Sequence, residues 1–164
     1  TMALVPLVVN AIDIPVIAAG GIMNGNGIAA ALALGADAVQ LGTAFIPCAE
    51  SGAPDTYRQF LLGDRALRTE LTTVISGRPA RAIVNRFVDE LRDRADEVPG
   101  YPMTYDGGKA LGAAAAAKGT PEFAPMWAGQ AAGLSRAMDA SKLMQLLEYE
   151  TKQTLAMLRD KIKD

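Results

Sequence analysis

The sequence predicts an α/β fold, and three features carry that expectation. Two short apolar runs end in glycine, an alanine-rich helix joins them, and long amphipathic helical patterns follow downstream. The first run, Pro15-Val16-Ile17-Ala18-Ala19, closes on Gly20-Gly21. Apolar residues at successive positions fit a strand covered on both faces, because neighbouring side chains point to opposite sides. Ile28 to Leu34 is built from strong helix formers, and Gly35 stands where a helix C-terminal glycine belongs. Ala38-Val39-Gln40-Leu41 is the second run and closes on Gly42-Thr43. Two apolar strands joined by a helix make a βαβ unit with parallel strands.

Upstream, Leu7 to Ile12 is amphipathic and reads as a helix already under way, so the sequence is expected to be a piece whose N-terminal portion is missing. Downstream, Pro54 to Asp64 predicts a short helix and Leu71 to Ile75 an extended segment. Ala80 to Arg94 carries Ile83, Val84, Phe87, Val88 and Leu91 at helical spacing, with Arg86, Asp89, Glu90, Arg92 and Asp93 between them. Pro99-Gly100-Tyr101-Pro102 breaks the chain, and Ala110 to Lys118 is an alanine run of high helix propensity. Ala140 to Ile162 predicts a long helix with Leu143, Leu147, Leu155, Leu158 and Ile162 on one face. Asp139, Glu148 and Glu150 are expected on its surface. The expected division is residues 1–50 as a βαβ unit, 51–130 as a mixed, mostly helical extension, and 131–164 as a C-terminal helix that packs on the first part.

Composition excludes several functions. The chain has 164 residues, formal net charge −2, one cysteine and no histidine. A near-neutral balance gives no electrostatic footprint for nucleic acid or an anionic membrane. Cys48 has no partner for an internal disulfide and reads as a buried, inert thiol. No catalytic residue and no metal site is expected. The default compartment is the cytoplasm.

The sharpest chemical signal is the pair of strand ends, Ala19-Gly20-Gly21-Ile22 and Gln40-Leu41-Gly42-Thr43. Both lie at the C-terminal ends of parallel strands, the face on which an α/β barrel binds ligands. Glycine lets the backbone come close to a ligand, and helix starts near Ile28 and Gly42 would add positive dipole ends. Together the two glycine-bearing strand ends predict a phosphate cradle, to which Thr43 can add a hydroxyl donor. The simpler alternative is that these glycines only turn the chain. A competing motif, Gly25-Asn26-Gly27-Ile28-Ala29-Ala30, fits the dinucleotide fingerprint G-x-G-x-x-A. That fingerprint requires an acidic residue at the end of the following strand, whereas Asp37 precedes it.

Among other candidates, Arg78 and Arg81 in Ser76-Gly77-Arg78-Pro79-Ala80-Arg81 read as either an anion contact or a solvated helix start, the latter preferred. Met126, Trp127 and Gln130 could wall a pocket or simply pack.

These motifs resemble the nitronate monooxygenase family, formerly the 2-nitropropane dioxygenases. The similar stretches are Met2 to Pro6, Pro15 to Ile22, Gly35 to Phe45, Ser76 to Arg81 and Trp127-Ala128-Gly129-Gln130-Ala131-Ala132-Gly133. The resemblance implies the C-terminal part of a TIM (β/α)8 barrel with a mostly helical additional segment, and flavin mononucleotide (FMN) as cofactor. It implies phosphate contacts at Gly20, Gly21, Gln40, Leu41, Gly42 and Thr43. The implied reaction is oxidation of an alkyl nitronate with O2 to a carbonyl compound and nitrite. Ala44 stands where many relatives have arginine. The family's flavin-ring contacts and histidine base belong to earlier strands, and a barrel of this type needs roughly 250 residues. The isolated chain is therefore expected to be inactive, partnered by its own missing N-terminal half or by further copies in a homo-oligomer. Flavin-dependent enoyl reductases of fatty-acid synthesis share the glycine motifs and are the alternative enzyme. A non-catalytic half-barrel is the alternative of a different class.

Overall fold

A computed structural model describes residues 2–162. The chain divides into two compact units, Thr1–Gly52 with Leu134–Asp164, and Ala53–Gly133.

The first unit contains α1 (Leu4–Val9), β1 (Ile17–Ala19), α2 (Gly25–Ala33), β2 (Ala38–Gln40) and α6 (Ala140–Lys161). β1 and β2 pair in parallel with Ile17 opposite Ala38 and Ala19 opposite Gln40, so their C-terminal ends are level. The βαβ unit is thus present as expected. At the opposite end of the pair, Asp37 and Val16 lock together. The Val16 amide donates to Asp37 Oδ2 at 2.8 Å, and the Asp37 amide donates to the Val16 carbonyl at 2.9 Å. Asp37 is therefore a strand clamp, far along the strand from the glycines.

Val5, Ala18, Ile22, Ala31 and Ala36 form the buried core of this unit, with Val9, Ile28, Val39 and Leu41 packed against it. Only one face of the strand pair is covered. Ala18 is 3% exposed, whereas Ile17 is 61% exposed and Ala19 also faces solvent. The expectation of burial on both faces is corrected here. Alternate side chains point away from α2, and no described element of the unit lies on that side. α6 follows the same logic. Leu143 and Leu147 are buried, but Leu155, Leu158 and Ile162 on the continuing apolar face are exposed.

Two helix starts in this unit, those of α2 and α6, are met by side chains. Asn24 accepts from the Gly27 amide at 3.0 Å, which starts α2 three residues before the alanine run. Glu50 accepts from the Ala140 amide with both oxygens, at 3.0 and 2.9 Å, and starts α6. Each carboxylate or amide oxygen satisfies an amide that the helix itself leaves without a partner. Gly35, at φ +95°, ends α2 in the left-handed region that suits glycine.

The second unit contains α3 (Asp55–Leu62), β3 (Thr69–Thr72), β4 (Ala80–Ile83), α4 (Arg86–Leu91) and α5 (Met103–Ala117). β3 and β4 form an antiparallel pair, with Thr69 opposite Ile83 and Thr72 opposite Ala80. The segment around Trp127 extends it, through Ile83 N–H to the Met126 carbonyl at 2.8 Å and Ala128 N–H to the Arg81 carbonyl at 3.0 Å. The helix expected over 80–94 is corrected to a strand followed by a short helix. Asn85 divides them. It is fully buried, its Oδ1 accepts from the Val88 amide at 3.2 Å, and its Nδ2 donates to the Ala124 carbonyl at 2.9 Å. Val74, Ile75, Ala82, Val84, Phe87 and Val88 form the core. The alanine run belongs to a longer helix, α5. Its Gly108 and Gly112 let the helix approach closely: an added Cβ would lie 3.0 Å from the Ile75 carbonyl oxygen or 3.1 Å from that of Phe123.

Candidate functional site

The parallel register sets the two glycine-bearing turns side by side. Gly20 (φ +98°) and Gly21 (φ +75°) follow directly on β1. Gln40 ends β2, and Leu41 and Gly42 lead into a single 3-10 turn, Thr43–Phe45. Gln40 is exposed and Leu41 half-buried. All six residues expected to cradle a phosphate therefore cluster at one end of one strand pair.

The two turns use glycine for different reasons. Gly21 needs it for its backbone conformation. Gly42 does not: its φ of −102° and ψ of −67° are open to any residue. Nor does packing require it, since a Cβ added at Gly42 would meet no atom within 4 Å, and the same is true at Gly21. Both turns border open space. A glycine that neither backbone nor protein packing demands fits a site where a ligand approaches the main chain.

α2 does not contribute as expected. Its first amide, Gly25 N–H, donates to Glu150 Oε2 at 2.9 Å, and the Gly27 amide donates to Asn24. The N-terminus of α2 is therefore occupied by a carboxylate of the chain itself. The other oxygen of Glu150 pairs with Arg136 Nη1, and Arg136 Nη2 donates to the Met23 carbonyl at 2.9 Å. Glu150, expected on the helix surface, is only about a quarter exposed, at 28%. Gly25 is a packing residue: a Cβ there would fall 2.3 Å from Glu150 Cβ and from the Thr151 nitrogen. The fingerprint-like Gly25-Asn26-Gly27 thus lets α6 seat against α2.

Apolar grooves run along both sides of the strand pair. One of about 480 Å³ passes Val39, Gln40 and Leu41 of β2 and is walled by Ile28, Phe45 and Met144. The other, of about 330 Å³, passes Val16 to Ala19 of β1 and is walled by Leu4 and Val8.

The remaining candidates are in the second unit. Arg81 lies on β4, not at a helix start, and donates to the Thr69 carbonyl and hydroxyl at 3.1 and 3.3 Å. Arg78 is exposed, its guanidinium 4.9 Å from the centre of the Tyr101 ring. Met126 is core at 1% exposure, Trp127 is half-buried, and Gln130 is exposed. The Tyr57 hydroxyl donates to the Trp127 carbonyl, and burial raises the phenol's pKa well above its ordinary value. Cys48 is buried, at 2% exposure. Among the described residues no cluster of histidine, cysteine or carboxylate side chains could hold a metal ion, and no helix is long and apolar enough to cross a membrane.

Comparison with known proteins assigns the family. The profile described as "Nitronate monooxygenase" matches residues 1–150. The chain is 52% identical over 160 residues to a nitronate monooxygenase of Paraburkholderia phytofirmans, covering 97% of this chain and 44% of that protein. It is 51% identical over 151 residues to a nitronate monooxygenase of Pseudomonas aeruginosa, covering 92% and 43%. Among solved structures, nitroalkane oxidase from Streptomyces ansochromogenes superposes with a TM-score of 0.90 at 43% identity, covering 96% of this chain and 45% of that one. FabK from Thermotoga maritima superposes with a TM-score of 0.82 at 33% identity, covering 98% and 51%. The chain thus spans about half the length of the relatives it matches. Its fold is the C-terminal part of a TIM barrel with a mostly helical additional segment. Matched over residues 1–150, the chain belongs to the nitronate monooxygenase family of flavin oxidoreductases.

Proposed function

We propose that the ends of β1 and β2 hold the phosphate of FMN, and that the whole enzyme oxidises alkyl nitronates with O2 to a carbonyl compound and nitrite. The observation that carries the phosphate reading is the level placing of two glycine-bearing turns, Gly20-Gly21 after β1 and Gly42-Thr43 after β2, with open space beside Gly21 and Gly42. Gly20 and Gly21 supply a second backbone turn at the same level, and Gln40, Leu41 and Thr43 complete the cradle. FMN, when bound, supplies the redox chemistry. The work of this chain is to anchor the cofactor by its phosphate and so fix the position of everything beyond it.

The chain has no histidine, so the family's proton-transfer group is not among its residues. A cofactor held at its phosphate alone is not oriented for reaction, and the isolated chain is accordingly inactive. A parallel pair whose outer edges carry no further strand among the described residues, with an apolar groove along each, is built to be continued. We read the partner as further barrel strands, contributed by the N-terminal half of such a protein or by another copy. We also read the protein as cytoplasmic, in keeping with a single cysteine that is buried.

The test compares FMN with riboflavin, which lacks the phosphate. The purified chain is expected to bind FMN at least tenfold more tightly, with no nitrite release from an alkyl nitronate above a flavin-only control. Equal binding of the two flavins would refute the cradle, and nitrite release by the chain would refute its inactivity.

A further inference from the structure

Resting on the phosphate reading, we propose that Glu150, steered by Arg136, is an internal anion that closes the N-terminus of α2 and so leaves the Gly21 and Gly42 turns as the phosphate seat. It is a specificity-determining positioning residue.

The geometry is a bracket with three fixed points. Glu150 lies in the middle of α6 and reaches α2 with one oxygen on the Gly25 amide. Its second oxygen holds Arg136, which reaches back to the carbonyl of Met23, two residues before the start of α2. The side chains of Arg136 and Glu150 are 24% and 28% exposed. The seam continues one turn along α6, where Thr154 Oγ1 lies 2.6 Å from Asn26 Oδ1.

The carboxylate is not there by chance of a flexible side chain. The absent Cβ of Gly25 allows the α6 backbone to lie directly on the first turn of α2, so Glu150 is delivered by a seated helix. A bulkier residue at Gly25 would push away the element that carries the anion.

The chemistry follows from charge. The first turn of an α-helix attracts any oxyanion, and an arginine beside it strengthens that attraction. Gly25 N–H and Arg136 together would make a phosphate site only a short distance along the chain from Gly21. Glu150 satisfies the amide and neutralises the guanidinium at once, and the Met23 carbonyl takes a further guanidinium N–H. A phosphate arriving at the strand ends finds this site filled. The turns at Gly21 and Gly42 remain.

The experiment follows backbone amides by 15N-resolved NMR while inorganic phosphate is added to the whole chain. In the unaltered protein Gly21, Gly42 and Thr43 are expected to shift, and Gly25 to stay still. In Glu150→Ala the Gly25 amide is expected to shift saturably over the phosphate range in which the same amide of the unaltered protein does not move. Adding Arg136→Met to that variant should abolish the shift, because the guanidinium is the cation released. A merely structural Glu150 would change the starting spectrum without creating a phosphate response. That result in a folded Glu150→Ala protein overturns the proposal, as does a phosphate response at Gly25 in the unaltered chain. Should Glu150→Ala not fold, Glu150→Gln retains side-chain length and an acceptor, and a saturable phosphate shift at Gly25, absent from the unaltered protein, is then expected. Absence of that shift overturns the proposal equally. Silence at Gly21 and Gly42 in the unaltered protein would sink the cradle reading alone, since the shift at Gly25 is read independently.

Discussion

Replacing Gly42 by alanine separates what the fold needs from what a ligand needs. The backbone at φ −102° and ψ −67° accepts an L-residue, and the new methyl meets nothing within 4 Å. Removing a glycine at a compatible position stabilises by about 0.4–1 kcal/mol through the unfolded chain. For a chain of this size that is about 1–4 °C in Tm. A methyl facing the phosphate seat has the opposite effect on FMN. Loss of one hydrogen bond to a charged group costs about 1.5–3 kcal/mol, or roughly 10- to 150-fold in affinity. The matched control is Gly25→Ala, where the new Cβ would lie 2.3 Å from Glu150 Cβ. Overpacking of that kind costs about 1–3 kcal/mol, against about 1 kcal/mol returned by helix propensity. Urea denaturation and flavin-fluorescence titration on the same preparations read both quantities. Gly42→Ala should be at least as stable as the parent and bind FMN at least tenfold more weakly, with riboflavin unchanged. A Gly42→Ala protein that is less stable, or that binds FMN as the parent does, would refute the reasoning.

Three other outcomes are expected. Asn85→Ala removes a helix cap and leaves the Ala124 carbonyl without its side-chain donor, so urea unfolding should show a loss of about 2–4 kcal/mol. The Arg92 hydrogen bonds hold the Glu70 carboxyl below its ordinary value of 4.5. A lowered folded pKa contributes stability that is present above the ordinary carboxylate range and is lost as pH falls through the folded value. The stability difference between the parent and Glu70→Gln should therefore shrink from roughly pH 5 downward, and a constant difference would show that the pair is not linked to folding. Ile17→Lys, at a position 61% exposed, should leave the Tm of the chain nearly unchanged. With the complementary barrel half of a full-length relative supplied in trans, the parent should associate and Ile17→Lys should not. Equal association of both would mean that β1 is not continued by partner strands.

The βαβ unit was legible because each of its signals is local. Apolar runs, an alanine-rich helix and a closing Gly35 lie within about thirty residues and agree with one another. The segment 80–94 misled because its apolar spacing runs unbroken from a strand into a helix. Ile83 and Val84 belong to the end of the strand side, and Phe87, Val88 and Leu91 to the helix side. The informative residue was Asn85, a capping type three positions before Val88, whose amide it holds. Glu150 was read as surface, although it stands seven residues after Leu143 and three after Leu147 and so shares their face of α6. Its amide partner lies 125 residues away, and nothing local names that partner. Only the approach of two helices turns a surface glutamate into the cap of a distant one.

The same limit governs the glycines, on which the functional reading turns. In the sequence, Gly25 belongs to a fingerprint-like motif that lacks its acidic partner, and Gly42 to the strand-end pair that carries the sharper signal. In the folded chain the two differ in what surrounds them. Gly25 is filled by the protein, its missing side chain replaced by α6 at 2.3 Å, so its conservation of space is internal. Gly42 is left unfilled, since an added Cβ would meet nothing within 4 Å, which supports the phosphate seat proposed there. A spacing pattern reports that a backbone must come close to a neighbour; only the surrounding atoms say whether that neighbour is a helix or a ligand. By that criterion the level ends of β1 and β2 are the place to propose an anion seat, while the fingerprint-like turn belongs to the packing that holds Glu150 over α2.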